Sequence, residues 1–560
     1  MISRKNSVLT ALVLVGLIMG SALASAADTP NAGSVARELK DTKLGVPIAR
    51  KPQVEITEKE KVTWPIDNEV KIKVNGFHLN NQDVLTQAEV DSILKDKVGK
   101  ELTFGELKMA AASLTKYLQN KDYMVARVYL PAQRIGNGIV ELTAVVGKYD
   151  KILIDNDSKI SEAQIRRQLL RLKPGNYIKR SEVERGVWLI SDLAAADSKV
   201  TIAPGSKPGT SNVTFVVHKH KGPVGSVFVD NYGNRYTGRN EFGFNYNWYN
   251  PTKEGDTLSF YGITTGGGKN NGDVTYYIPV AEDGHQIEFG YSRMHYILGN
   301  EFSAADKDGM SETIHAAWRY AIRRSSRNNQ YVRLGVESSK LEDYVSHETS
   351  SDKRDSGATL NFFGDEIDRY GASTYDLGYK LGYLGINDDS TYTYDANGPK
   401  TQGHFQKFSL RLLRHQTLDQ RNYLLLSFRG QLANKNLDSY ERLELGGAYG
   451  VRAFPQGEAS GDLGYVANAE YRHIIPLKGH PDQTLQLAVF LDGGAVKINK
   501  SAYTSGLNIR HLYGYGIGAL WGRTDDWLLR ASYGWKLGHE DNQSGPNSSG
   551  MLWLQAVKYF

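Results

Sequence analysis

Cysteine is absent from all 560 residues. That excludes disulfide staples, thiolate metal sites and thiol redox chemistry. Long apolar runs are absent after the N-terminus, so no later stretch reaches the ~20 residues a membrane-crossing helix needs. A strong charge of one sign is also missing. Lys and Arg number 67 against 62 Asp and Glu, a formal net charge of +5. That is too small for this length to imply a nucleic-acid partner. Enzyme signatures are missing as well: there is no Gly-x-Ser-x-Gly elbow and no His-Glu-x-x-His helix. Gly266-Gly267-Gly268-Lys269 lacks the flanks of a phosphate loop, and Gly514-x-Gly516-x-Gly518 does not open a helix. The expectation is therefore no enzyme, no cofactor and no metal.

What is plentiful is glycine (57) and tyrosine (33). Residues 1–26 read as a secretory signal: Arg4 and Lys5, an apolar run over 8–19, then Ala24-Ser25-Ala26. An exported chain without spanning helices is either soluble or a closed barrel, because only those satisfy every backbone group.

From Gly225 onward, apolar and polar residues alternate between Gly/Asn/Asp turns. Phe242, Phe244, Tyr246 and Trp248 oppose Asn245 and Asn247. Leu485, Leu487, Val489 and Leu491 oppose Gln486, Ala488, Phe490 and Asp492. Period two is the strand signature, and apolar-out, polar-in strands with aromatic ends fit a transmembrane barrel. About sixteen such segments can be placed. A soluble sandwich would instead bury its apolar face and charge the other.

The region before the barrel carries an internal repeat. Its first copy has a strand over 69–75, helices over 86–94 and 104–118, and strands over 123–130 and 139–146. The second has a strand over 151–154, helices over 162–172 and 181–194, and strands over 199–203 and 212–218. Upstream, 32–39 forms a short helical pattern with Ser34 as its N-cap, followed by a Pro-containing linker. The resulting boundaries are signal 1–26, helical segment 27–46, linker 47–67, repeats 68–147 and 148–220, and barrel 221–560. A strand-edged repeat offers an edge to an extended client by β-augmentation. The candidate edges carry Tyr123, Val125, Arg127 and Tyr129 in the first repeat and Val200 and Ile202 in the second.

Between two alternating segments lies a long loop, 433–462, whose part 446–462 is Gly-rich and holds one arginine, Arg452, flanked by Val451 and Phe454. A loop of that length usually has a function. If the apolar strand faces meet lipid, Asp492 points into the lumen, where Arg452 can reach it. Glu470 and Asp462 are alternative partners.

These residues carry a resemblance. The chain resembles the outer-membrane transporters of two-partner secretion (TpsB type, the haemolysin secretion/activation proteins), within the outer-membrane assembly-factor superfamily. Val451-Arg452-Ala453-Phe454 is similar to the superfamily's loop-tip motif, with Ala453 where Gly is usual. Phe490-x-Asp492-x-Gly494 matches the paired strand motif. Asp230-Asn231-Tyr232-Gly233 with Thr237-Gly238 resembles the first barrel strand and turn, and Leu130-Pro131-x-Gln133 the last hairpin of a first POTRA domain. The resemblance implies α+β periplasmic POTRA repeats followed by an all-β barrel in the outer membrane. It implies a plug helix carrying Val35, Arg37 and Leu39. It also implies a pore that recognises a large, unfolded exported partner (a TpsA-type adhesin, haemolysin or contact-dependent toxin) and secretes it without ATP. The remaining partners expected are outer-membrane lipid and, during biogenesis, the barrel assembly machinery, with the protein itself a monomer. The rival readings are an assembly insertase of the same superfamily and a passive porin. Two repeats rather than more favour secretion.

Overall fold

The computed structural model describes residues 29–39, 54–56 (backbone), 70–194, 196–219 and 222–560. The signal expected over 1–26 and most of the linker lie outside these residues.

The first helix, Ala32–Glu38, is seven residues long. Its N-cap is Asn31, not Ser34. The Asn31 side chain accepts from the Ser34 N–H, while the Ser34 hydroxyl accepts from the Asn31 N–H, closing a reciprocal box. Two turns cannot persist alone in water, so this helix depends on what it packs against. Ala32, Val35 and Ala36 are buried with Met294, Tyr296 and Leu341 of the barrel wall and with Tyr440.

The first repeat packs helices Gln87–Leu94 and Phe104–Asn120 on strands Gly76–Leu79, Ile139–Val146 and Ala126–Tyr129, in the order first, second, third. Thr86–Glu89 and Thr103–Glu106 close capping boxes on the two helices. The stripe Leu107, Ala111, Leu114 and Leu118 is buried at the core, as its helical spacing predicts. In the second repeat, helices Glu162–Arg167 and Arg180–Ser191 are followed in sequence by strand Ala196–Pro204. Its sheet runs Val54–Ile56, Ala196–Pro204, Thr210–Lys219, Lys148–Asn156.

The barrel is closed and has sixteen strands, each antiparallel to its neighbours; strand one (Gly225–Asp230) pairs with strand sixteen (Gly550–Tyr559). Phe242, Phe244, Trp248, Leu487, Val489 and Leu491 are exposed on its outer face. The wall is uneven. Strand one has six residues, whereas strands six to eight (Lys307–Arg323, Asn328–Val345, Glu348–Asp368) have 17, 18 and 21.

The second repeat is fastened to the barrel's short turns. Arg185, itself buried, pairs through Nε with Asp283 Oδ1 at 2.7 Å and donates to the Ala321 carbonyl at 2.7 Å. Arg324 of the barrel meets Asp192 at 2.7 Å. Gly284, at φ +86°, lies where a Cβ would come within 2.6 Å of Leu189. Both the positive φ and the close approach call for glycine.

Candidate functional site

Between strand eleven (Asn422–Ala433) and strand twelve (Leu463–Pro476) the chain turns into the lumen. Leu445, Val451, Ala453 and Phe454 of this loop are buried with Val466, Val496 and Leu512 of the wall. The loop therefore has a small apolar core of its own against strands twelve to fourteen. Its tip carries Arg452. Arg452 Nε and Nη2 each reach Asp492 at 2.8 Å, on Oδ2 and Oδ1 respectively. The Arg452 backbone N–H also donates to Oδ2 at 3.1 Å. A fork-on-fork pair of this kind fixes angle as well as distance. Nη1 donates to Glu470 of strand twelve, and the guanidinium lies 3.4 Å from the Phe490 ring centroid. Two of the three possible partners named from sequence thus share the arginine. The third, Asp462, serves the loop's base, accepting from Arg442 at 3.2 Å and from the Leu437 N–H at 3.1 Å.

The wall is carved to receive the tip. A Cβ on Gly534 would stand 2.8 Å from the Arg452 carbonyl carbon, and one on Gly514 would stand 2.5 Å from the Ala453 methyl. Lumen-facing glycines buy this close backbone approach. Gly494 does the same for Leu445, at 3.0 Å. Gly493 does not: parity turns it outward, where a Cβ would meet Tyr513. The φ of Ala453 is not positive, so the turn tolerates alanine in place of the usual glycine. Trp553 of strand sixteen donates to the Arg452 carbonyl at 2.8 Å. Neither Trp553 nor Gly534 was identified from sequence; neither lies within a motif, and only lumen-side parity marks them.

The loop has further anchors. Glu458 is buried and accepts from Arg510 at 3.0 Å and from the N–H groups of Gln543 and Ser544. The short turn Ser439–Glu441 reaches the opposite wall, where Lys353 meets Asp438 at 2.8 Å and Lys380 meets Glu441 at 2.8 Å. The first helix sits on this turn. Arg37 donates to the Ser439 carbonyl and to Glu444, both at 2.8 Å. Val35 is fully buried and Leu39 half-buried beside it. The chemistry of the arrangement is that of an electrostatic clamp.

The proposed client edges require correction. In the first repeat the edge strand is only Ala126–Tyr129; Tyr123 and Val125 precede it. The Met124 N–H donates to Ile178 of the second repeat at 3.0 Å, and the Val128 N–H to Thr115 Oγ1 of the long helix at 2.8 Å. Arg127 and Tyr129 project outward and are exposed. In the second repeat Val200 and Ile202 pair in parallel with Val54 and Ile56, and the side chains of Val200 and Ile202 are buried. This edge is therefore not open. An uncovered row of N–H and C=O groups invites mispairing, and chains cover such rows with their own segments.

Fold and site together define an outer-membrane transport barrel with POTRA-type repeats and an inward, wall-clamped loop. A family model described as haemolysin secretion/activation protein ShlB/FhaC/HecB matches residues 209–520, and one for the ShlB-type POTRA domain matches 72–147. The chain belongs to the ShlB/FhaC/HecB family and is an outer-membrane transporter of the two-partner secretion type. It is 26% identical over 572 residues to the heme/hemopexin transporter protein HuxB of Haemophilus influenzae (strain 86-028NP), covering 99% of each chain. It is 22% identical over 444 residues to the outer membrane transporter CdiB of Escherichia coli, covering 75% of this chain and 72% of that one. The solved structure of CdiB from Escherichia coli superposes with a TM-score of 0.71 at 17% identity, over 100% of this chain and 99% of the other.

Proposed function

We propose that the barrel is held shut at rest by two inserted pieces, the loop clamped through Arg452 and the helix Ala32–Glu38 seated on that loop. An unfolded exported protein engages the repeats, and the pore then opens to it. The observation that carries this reading is the loop itself. A segment of 29 residues (434–462) crosses the lumen and is ion-paired to both walls. Such a piece is more than a turn needs. It obstructs free diffusion, which argues against a passive porin.

In this reading Arg127 and Tyr129, exposed beside the helix Phe104–Asn120, form the first contact surface for the partner. Val200 and Ile202 pair with it only after Val54–Ile56 has been displaced. The secreted partner is a large exoprotein; outer-membrane lipid surrounds the apolar wall, the barrel assembly machinery inserts it, and the protein works as a monomer. The test is deletion of 68–147 in cells that make the partner. Secretion is expected to stop while the barrel still inserts and keeps heat-modifiable gel migration. Normal secretion by the shortened chain would place partner recognition outside the first repeat.

A further inference from the structure

The Arg452 clamp holds one end of the loop. The other end is held by a cluster that no motif marks. Lys380 of strand nine (Gly371–Ile386) is almost fully buried. Its Nζ lies 2.7 Å from Glu337 of strand seven, 2.7 Å from Asp355 of strand eight and 2.8 Å from Glu441 of the loop. Lys407 of strand ten (Gly403–Thr417) also pairs with Glu441. Gly357 gives way to the lysine stem, since a Cβ there would stand 2.7 Å from Lys380 Cε. Three carboxylates thus converge on one ammonium, and only two of them belong to the wall.

The turn bearing Glu441 has two faces. Asp438, Tyr440 and Glu441 bind the wall: Lys353 meets Asp438, and the Tyr440 hydroxyl meets Ser339 Oγ at 2.7 Å. Ser439, between them, faces the helix. Its carbonyl accepts from Arg37, and its hydroxyl lies 2.6 Å from Asn31 Oδ1. Gly33 presses onto the same turn; a Cβ there would come within 2.5 Å of Ser439 Oγ and 2.8 Å of Asp438 Oδ1. The helix has direct wall contacts too, from the Ala32 N–H to Asp343 at 2.7 Å and from Glu38 to Lys269 at 3.6 Å. Among the described residues its arginine bonds to the loop, through Ser439 and Glu444.

We propose that Lys380 is a positioning residue: it holds the turn Ser439–Glu441 in place as the seat of the helix Ala32–Glu38, and so governs how firmly that helix closes the pore. Removing the ammonium takes away the cation that Glu337, Asp355 and Glu441 share. Buried like charges that lose a shared counter-ion repel one another more strongly. Of the three, Glu441 is on the loop, so it is the group free to leave. Its departure takes Ser439 with it, and the helix loses its seat while the Arg452 clamp stays intact. The inference rests on the reading of the helix as a plug.

The test uses the full chain in planar lipid bilayers, in four forms: unaltered, Lys380→Met, deleted in 32–38, and both together. Lys380→Met is expected to raise the frequency of large-conductance openings several-fold. The deletion should raise it at least as far, and the combined form should match the deletion alone. Openings unchanged by Lys380→Met would overturn the proposal. So would an equal further rise in the deleted chain, which would mean that Lys380 acts on the pore rather than on the seat. A deletion without effect would overturn the plug reading itself, and this proposal with it. If Lys380→Met fails to assemble, Glu441→Gln takes its place in the same four-way comparison. That substitution lies off the barrel strands, and the same outcomes decide.

Discussion

Arg452 and Asp492 make three hydrogen bonds to each other, two from the guanidinium and one from the arginine's own backbone N–H. The side chain and the loop backbone are thus fixed by one carboxylate. Asp492 also accepts from Asn468 of the wall at 2.8 Å, so its orientation does not rest on Arg452 alone.

Breaking a buried pair by removing one partner costs about 3–5 kcal/mol, because the other charge is left uncompensated. Here that cost falls on loop position. Arg452→Ala is expected to lower secretion by about tenfold or more, since ~1.4 kcal/mol already shifts a population tenfold. Asp492→Ala should do the same, and Glu470→Gln less. The double variant Arg452→Ala/Asp492→Ala should be no worse than Arg452→Ala alone, with barrel melting little changed. Secretion assays on the four variants decide; fully additive losses would mean that the two residues act separately.

Gly514 and Ala453 form a steric pair with a reciprocal remedy. Gly514→Ala sets two methyl carbons 2.5 Å apart, closer than such atoms ever sit. The loop tip must shift, and over-packing of this kind costs ~1–3 kcal/mol. Secretion should fall for Gly514→Ala and recover when Ala453→Gly is added. Failure of the second change to restore secretion would show that Gly514 matters for a reason other than the Ala453 methyl.

Glu89 provides a pH-dependent element in the first repeat. Hydrogen bonds from Lys121, then from the Thr86 backbone and Tyr117, lower its carboxyl to about 2. A carboxyl depressed on folding adds stability above its unfolded value near 4.5 and loses it as pH falls toward 2. Thermal unfolding of the periplasmic repeats should therefore drop across that window. Glu89→Gln should flatten the drop and lower stability at neutral pH, where the Lys121 pair and the helix cap are both weakened.

Parity made most of this legible in the sequence. Once one strand face meets lipid, Asp492 and Glu470 must point inward, and one arginine in a glycine-rich loop has few other places to go. The same parity sets Gly493, one residue on from Asp492, off the lumen face. The cover on the second repeat's edge was illegible because Val54–Ile56 is three residues in a Pro-containing, charged stretch without sustained alternation. Lys380 and Glu441 were illegible for a different reason. Their meeting depends on how four wall strands and an inward loop align, and that register appears in no local pattern. The short strand Gly76–Leu79 was missed because it follows directly on the alternating stretch 69–75, and Val74, Phe77 and Leu79 all face the same core.

The uneven wall gives the exit a compass direction. At ~3.3 Å per residue and a tilt of ~45°, a strand as long as the eighth rises about 50 Å, twice the ~25 Å of an outer-membrane apolar band. The six-residue first strand rises only about 14 Å on the same reckoning. A polypeptide clearing the mouth therefore passes a strand wall that is tall on the flank of strands six to eight and short at the first strand of the seam.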